Sequence, residues 1–248
     1  MRNSFAEGSD RYALARPRYP AALFEWIAEQ CPRREAAWDC ATGNGQAALG
    51  LAPFFHQVEA TDISQEQVEH GFAAANVHYS AQPAEATEFG AQTFDAVTVA
   101  QALHWFDHGR FWAEVRRVAK PGAFFCAWGY AWFRYSGEVE AELVRPALRL
   151  LEPYWAAQNR ILWDGYRDED IGFPFERVEA PEFVLELDGT VGGLIEYLRT
   201  WSAFKRAQAD REVTVALEAL IARAGERLRL ERRCRASSPL AVVAGRVE

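Results

Sequence analysis

The chain has 248 residues, half of them hydrophobic, which is enough for one large α/β domain or two small ones. Its formal net charge of −8 argues against a general nucleic-acid-binding protein, because such proteins usually carry a basic surface. No apolar signal-peptide core follows Met1, and no apolar run reaches the length of a membrane span. The four cysteines are far apart and we expect them to stay reduced, which favours a cytoplasmic protein without a membrane partner. The five histidines show no metal-binding spacing, so we predict no metal site.

The first half of the chain alternates predicted strands with predicted helices. Pro20 can serve as the first helical residue for a helix over 21–30. Ser64 and Gln67 have capping-box spacing for a helix to about residue 75, and Asp107 is a suitable N-cap for a helix through Val118. The predicted strands are 36–40, 58–61, 77–80, 94–100 and 123–128, with a helix over 45–53 and a turn at 120–123. This alternation predicts a parallel sheet with right-handed crossovers.

The second half has a different pattern, rich in helices and aromatic residues. Helices are predicted over 138–151, 195–206 and 212–228, and short strands over 183–187 and 240–244. Residues 151–175 combine aromatic side chains with turn residues. We therefore expect inserted helices that form a cover over one sheet domain, rather than two independent domains.

A glycine-rich loop follows the first predicted strand. Residues 43–48, GNGQAA, fit the G-x-G-x-x-G/A dinucleotide fingerprint, in which backbone N–H groups and a helix N-terminus approach a ligand. Asp39 would place negative charge near the pyrophosphate of a nicotinamide cofactor, whereas it suits the ammonium group of S-adenosylmethionine, directly or through water. Asp62, at the end of the next strand, can accept both ribose hydroxyls of either cofactor. Asp39 therefore favours S-adenosylmethionine.

Besides an enzyme that uses S-adenosylmethionine, two other functions remain open from the residues alone. One is an NAD(P)-dependent oxidoreductase, which Asp39 and the lack of a Tyr-x-x-x-Lys pair after the fourth strand disfavour. The other is a catalytically silent cofactor-binding protein, which the intact loop and acids do not exclude. A nucleic-acid methyltransferase is disfavoured by the acidic net charge and by the absence of an N/D-P-P-Y/F motif.

The loop also resembles a family motif. Residues 39–45, DCATGNG, look like the D-x-G-x-G-x-G motif of class I S-adenosylmethionine-dependent methyltransferases, with Ala41 at the first glycine. Residues 83–85, 94–106 and 117–123 resemble later segments of that family in the same order. The resemblance covers about residues 36–130. It implies an α/β, Rossmann-like fold with a mostly parallel seven-stranded sheet flanked by helices. We expect Ala41 to preserve the loop if its φ is negative.

A narrower resemblance extends over most of the chain. The segments YALARPRYP, ALHWFD and YLRTWSAFKR look like the trans-aconitate methyltransferase-like subgroup of small-molecule methyltransferases. This implies a small-molecule acceptor and O-methylation of a carboxylate by a monomer or homodimer. It also implies three segments of one integrated domain: an arm and helix over the cofactor (1–35), the S-adenosylmethionine-binding core (36–130), and substrate cover helices with the final strands (131–248).

The candidate site residues follow from these resemblances and from their places at strand ends. His104 is the candidate catalytic residue, acting as a general base or orienting the acceptor. The predicted cofactor-binding residues are Tyr12, Arg16, Asp39, Ala41, Gly43, Gly45, Asp62, Ile63, Glu85, Gln101 and Ala102. The predicted substrate-binding residues are Trp105, Trp128, Tyr130, Arg199 and Trp201, with Arg199 as the anchor for an acceptor carboxylate.

Overall fold

The computed structural model describes residues 18–135 and 137–248, so Tyr12 and Arg16 lie outside the described residues. Two compact units are present. The first comprises residues 18–131, 160–184 and 239–248, and the second comprises residues 132–135, 137–159 and 185–238. The division into segments 1–35, 36–130 and 131–248 stays a prediction.

The first unit contains a seven-stranded sheet within the described residues, in the order β3-β2-β1-β4-β5-β10-β7. The strands β1 to β5 run parallel, and β10 pairs antiparallel with both β5 and β7. The predicted fold, a mostly parallel seven-stranded sheet with helices, is therefore confirmed. The strands of the described chain are β1 (Ala36–Cys40), β2 (Gln57–Asp62), β3 (Val77–Ala81), β4 (Phe94–Ala100), β5 (Ala119–Gly129), β6 (Arg134–Tyr135), β7 (Glu176–Arg177), β8 (Val184–Thr190), β9 (Arg233–Pro239) and β10 (Ala241–Arg246).

Helices connect these strands, and two of the predicted N-caps are confirmed. Ser64 Oγ accepts a hydrogen bond from the backbone N–H of Gln67, and Asp107 Oδ1 accepts one from that of Arg110. The α-helices are α1 (Ala21–Glu29), α2 (Gln46–Leu51), α3 (Gln65–Glu69), α4 (His108–Val118), α5 (Gly137–Val139), α6 (Arg145–Leu151), α7 (Asn159–Trp163), α8 (Asp168–Ile171), α9 (Val191–Thr200), α10 (Ser202–Ala207) and α11 (Arg211–Leu228). A π-helical turn, Glu140–Val144, joins α5 to α6.

Some of the predicted element boundaries are wrong. The helix α3 ends at Glu69 rather than near residue 75, because Gly71 passes the ring of Tyr79 and the N–H of Phe72 turns back to the carbonyl of Asn44. The predicted helix 195–206 is interrupted at Trp201, whose backbone is extended. The predicted turn at 120–123 is an irregularity inside β5, where the pairing with β4 shifts register.

Apolar side chains cover both faces of the large sheet. On one face, Trp38, Phe111 and Phe125 are among the fully buried residues of one cluster. On the other, Leu23 and Phe24 of α1 lie in a second cluster. The second unit has its own cluster of buried apolar side chains, most of them on its helices. It also contains a three-stranded sheet in the order β6-β9-β8. No helix in the two described ranges is both long and apolar enough to cross a membrane.

Buried carboxylates fix the strands and loops that carry the candidate site. Asp95 accepts from Lys120 Nζ at 2.9 Å and from the backbone N–H of Glu35 and Ala36, which joins β1, β4 and β5 at their amino ends. Glu114 on α4 accepts from the backbone and hydroxyl of Thr87, which anchors the loop after β3. The candidate site lies at the opposite edge of the sheet, at the carboxyl ends of the strands.

Candidate functional site

Asp39 lies one residue before the end of β1 and is fully buried. Its Oδ2 accepts from Thr42 Oγ1 at 2.5 Å, and its Oδ1 accepts from Thr98 Oγ1 at 2.9 Å. Burial raises the pKa of Asp39 to about 6, although hydrogen bonds from the two threonines act to lower it. A cation placed near this carboxylate would favour its ionised form.

The glycine loop turns through three left-handed residues. Ala41 has φ 55°, Gly43 has φ 58° and Gly45 has φ 90°. The condition on which Ala41 was expected to preserve the loop, a negative φ, is therefore not met: the chain places an L-residue where its Cβ is unfavourable. Gly45 also needs its lack of a side chain, because a Cβ there would lie 1.9 Å from Tyr79 Oη.

Asp62 at the end of β2 is held beside this loop. Its Oδ2 accepts from the N–H of Gly43 and its Oδ1 from the N–H of Ser64, each at 2.9 Å. The next side chain, Ile63, is 79% exposed, which leaves a large apolar surface next to a carboxylate. Glu85, in the loop after β3, accepts from the N–H of Asp107 at 3.1 Å.

This edge fits S-adenosylmethionine. A carboxylate suits ribose hydroxyls, an exposed apolar side chain beside it suits the adenine ring, and a buried acid at the loop suits the ammonium group. Within the described ranges, no group of three or more His, Cys, Asp or Glu residues is arranged to hold a metal ion. The individual assignments of Asp39, Ala41, Gly43, Gly45, Asp62, Ile63 and Glu85 to the cofactor stay predictions.

The carboxyl end of β4 is joined to that of β5 by Gln101. Its backbone N–H donates to the carbonyl of Trp128 at 2.8 Å. Its side-chain amide donates to the carbonyl of Tyr130 at 3.2 Å and accepts from the N–H of Tyr130 at 3.3 Å. Gln101 has φ 58°, so a second non-glycine residue at this edge is left-handed. The following residue, Ala102, is buried, and its carbonyl accepts from the N–H of Trp105.

His104 lies in a short 3₁₀-helix directly after β4 and is only 5% exposed. Its Nδ1 is 3.1 Å from the hydroxyl of Tyr166, which is itself buried. Tyr166 has φ 56°, and its hydroxyl lies 3.1 Å from the position that a Cβ on Gly129 would occupy. No local motif marks Tyr166 in the sequence, so its place beside His104 was not predicted. Trp105, half-exposed, has its ring centroid 4.9 Å from that of His104.

Trp128, near the end of β5, is fully buried rather than open at the edge. Its ring packs edge-to-face on Tyr19 and Phe24, with centroids 5.5 and 6.0 Å apart. Its Nε1 has no hydrogen-bond partner among the residues that the structure describes.

The other two candidate substrate residues, Arg199 and Trp201, belong to the second unit. Arg199 forms ion pairs with Glu218 at 2.8 Å and with Glu196 at 3.5 Å. The ring of Trp201 packs on three other aromatic rings of that unit, Trp132, Trp155 and Tyr197, at centroid distances of 5.6 to 5.7 Å. Their contacts with a substrate stay predictions.

Comparison with known proteins identifies what the chain is similar to. A family model described as a methyltransferase domain matches residues 38–127. A solved structure from Anaeromyxobacter dehalogenans, described as a type II methyltransferase, is 39% identical, with 94% of this chain and 98% of that chain covered and a TM-score of 0.79. A protein of Mycobacterium tuberculosis named as an uncharacterized methyltransferase is 30% identical over 67% of this chain and 72% of its own length. One of Dictyostelium discoideum, also named as a methyltransferase, is 29% identical over 82% of this chain and 78% of its own length.

Substitution of Ala41 by glycine tests the strain in the loop. The left-handed conformation costs an L-residue about 1–2 kcal/mol, and glycine removes this cost. Glycine also loses more conformational entropy on folding than alanine does, which offsets roughly 0.5–1 kcal/mol of the gain. We expect Ala41→Gly to raise the free energy of unfolding by about 0.5–1 kcal/mol in urea denaturation. Ala219→Gly, on the exposed face of the right-handed helix α11, is the matched control and should lower it by about 1 kcal/mol. A loss of stability in both variants would contradict the presence of backbone strain at Ala41.

The raised pKa of Asp39 predicts that cofactor affinity depends on pH. If the ammonium group of S-adenosylhomocysteine pairs with Asp39, binding must deprotonate the carboxylate, so affinity falls by roughly tenfold per pH unit below about 6. Calorimetric titration between pH 5 and pH 8 measures this. 5′-Methylthioadenosine, which lacks the amino-acid end, and the Asp39→Asn variant should both show a flat profile. A flat profile for S-adenosylhomocysteine on the native protein would separate Asp39 from the ammonium group.

The same shift predicts how the unliganded protein responds to pH. The folded pKa lies above the unfolded value of 3.8, so ionisation of Asp39 costs folding free energy. Its contribution to stability is largest below pH 4 and is lost as the pH rises to about 6. As the pH rises from 4 to 6, the unfolding free energy of the native protein should therefore fall relative to that of Asp39→Asn, which has no carboxylate to ionise at this position.

Proposed function

Because the chain belongs to the S-adenosylmethionine-dependent methyltransferases, we propose that it methylates a carboxylate oxygen of a small molecule, as the resemblance to the trans-aconitate methyltransferase-like subgroup implies. The observation that carries this proposal is the buried hydrogen bond between His104 and Tyr166 at the end of β4. The acceptor class, the subgroup and a monomeric or homodimeric state are parts of the proposal.

The hydrogen bond between His104 and Tyr166 indicates which ring nitrogen carries the proton. Burial raises the pKa of the Tyr166 hydroxyl well above its usual value, so the phenol stays neutral. A neutral phenol is a better donor than acceptor, and a neutral imidazole nitrogen is a good acceptor. We therefore propose that Tyr166 donates to Nδ1 of a neutral imidazole, which leaves the ring proton on Nε2. In this state Nε2–H is a hydrogen-bond donor and not a base.

A donor at this position suits an acceptor that arrives already ionised. When bound, S-adenosylmethionine supplies a methyl group on a positively charged sulfur, and its transfer to a carboxylate oxygen forms a methyl ester and a neutral thioether with no proton moved. A phenol or an ammonium acceptor would need a base to remove a proton. In this proposal His104 instead orients a carboxylate oxygen, and its burial limits the access of water to that oxygen.

The remaining predicted residues divide between the two ligands. Asp62, Ile63 and Glu85 would hold the adenosine end of the cofactor, and Asp39 with the glycine loop would hold its amino-acid end. Trp105 and Tyr130 would contact the acceptor beside His104. Arg199 and Trp201 are proposed acceptor contacts on the second unit, although Arg199 is already paired with two glutamates.

The nature of the product tests the acceptor class. The protein is incubated with methyl-labelled S-adenosylmethionine and, in parallel, with sets of carboxylic acids, phenols and amines. Mild alkali hydrolyses a methyl ester and releases volatile labelled methanol, whereas a methyl ether or methylamine keeps its label. We expect turnover with carboxylic acids and alkali-labile label. Alkali-stable label in the product would refute carboxylate methylation while leaving the methyltransferase assignment intact.

The pH profile of turnover separates the two roles of His104. A donor keeps its proton on protonation of the ring, so kcat at saturating cofactor should stay level from pH 8 to pH 6. A general base would lose about tenfold in rate per pH unit below its pKa. His104→Gln retains an amide donor and should keep more activity than His104→Ala. Tyr166→Phe removes the group that fixes the tautomer, so it should lower kcat by roughly tenfold with a smaller change in KM.

A further inference from the structure

Three tryptophan side chains are buried in the described part of the chain, and they differ in how their indole N–H groups are satisfied. Trp38 Nε1 donates to Thr61 Oγ1 at 2.8 Å, and Trp112 Nε1 donates to the carbonyl of Ile171 at 2.8 Å. Trp128 Nε1 is the exception, with no acceptor among the described residues. Buried donors are almost always paired, so this unpaired N–H requires an explanation.

Trp128 occupies the part of the fold where ligands are expected. It lies one residue before the end of β5, and its carbonyl accepts from the N–H of Gln101, the residue directly after β4. Its ring belongs to the apolar cluster that includes Ala47 and Ala48 of α2, the helix that follows the glycine loop. The indole is therefore on the loop side of the sheet, near the carboxyl ends of β4 and β5.

We propose that Trp128 Nε1 donates a hydrogen bond to a carboxylate oxygen of a bound ligand. An indole N–H only donates, so the ligand group must be an acceptor, and an ionised oxygen forms the stronger bond. Two sources supply a carboxylate at this edge: the methionine end of the cofactor and, resting on the proposed function, the methyl acceptor. The chemistry is the same for both, and the experiment distinguishes them.

An internal contact with an aromatic ring is the competing explanation. The ring of Tyr19 is inclined at 86° to that of Trp128, a geometry in which an N–H can face a π-system. Such a contact is weak compared with a hydrogen bond to an oxygen. It also predicts that no ligand changes the environment of the N–H, which makes it testable.

The experiment follows the indole N–H resonances of the whole protein labelled with ¹⁵N-tryptophan. Trp128→Phe identifies the Trp128 signal by its loss. The Trp112 signal, whose N–H is already bound to Ile171, is the internal reference and should not move. The protein is titrated with S-adenosylhomocysteine, with 5′-methylthioadenosine, which lacks the carboxylate, and then with trans-aconitate added to the S-adenosylhomocysteine complex.

Each outcome decides the proposal. A downfield shift with S-adenosylhomocysteine but not with 5′-methylthioadenosine assigns the bond to the cofactor carboxylate, whatever the methyl acceptor proves to be. A shift only when trans-aconitate is added assigns it to an acceptor carboxylate. No downfield shift with any of the three would overturn the proposal and leave the ring contact with Tyr19.

Binding by the variants gives a second readout that does not need turnover. If the cofactor carboxylate is the partner, Trp128→Phe should weaken S-adenosylhomocysteine by roughly tenfold and leave 5′-methylthioadenosine unchanged. Trp112→Phe removes a buried N–H of the same kind away from the edge and should leave both affinities unchanged. Equal loss for both ligands in Trp128→Phe would indicate a general disturbance of the site and count against the carboxylate contact.

Discussion

The buried carboxylate of Asp39 is the interaction on which the candidate site depends. One oxygen accepts from Thr98 on β4 and the other from Thr42 in the glycine loop, so a single side chain joins the two central strands to the loop between β1 and α2. A fully buried carboxylate is costly, and burial raises its pKa for this reason. The free-energy cost of burying Asp39 falls at the position where the carboxylate holds the loop and where we expect a cation to bind.

Backbone strain is concentrated at the same edge. The strand β1 is followed at once by Ala41 and β4 by Gln101, and both residues are left-handed although neither is glycine. A left-handed residue turns the chain sharply away from the sheet. In β4 this turn allows the amide of Gln101 to pair with the backbone of Tyr130 and directs the chain to His104. Strain of this kind persists where the surrounding contacts determine the conformation, and it is typical of functional sites.

Patterns that depend on neighbouring residues were predictable from the sequence, and contacts between distant segments were not. The run 94–100 is a buried central strand in both the prediction and the structure, and Ser64 caps the helix predicted to follow it. The end of that helix was missed because it depends on the ring of Tyr79 against Gly71. Tyr166 contacts His104 across 62 residues, and the unpaired N–H of Trp128 depends on what surrounds it in space. Neither leaves a local signal in the chain.

A neutral imidazole at the acceptor side, as we propose for His104, would have a catalytic consequence. Methyl transfer to a carboxylate consumes one positive and one negative charge, so the transition state is less polar than the bound reactants. In the proposed site, His104 in its neutral form can orient the acceptor oxygen without adding a further charge. If Asp39 binds the ammonium group and His104 the acceptor, as we propose, an acid at one end and a neutral donor at the other would together favour a reaction that neutralises charge.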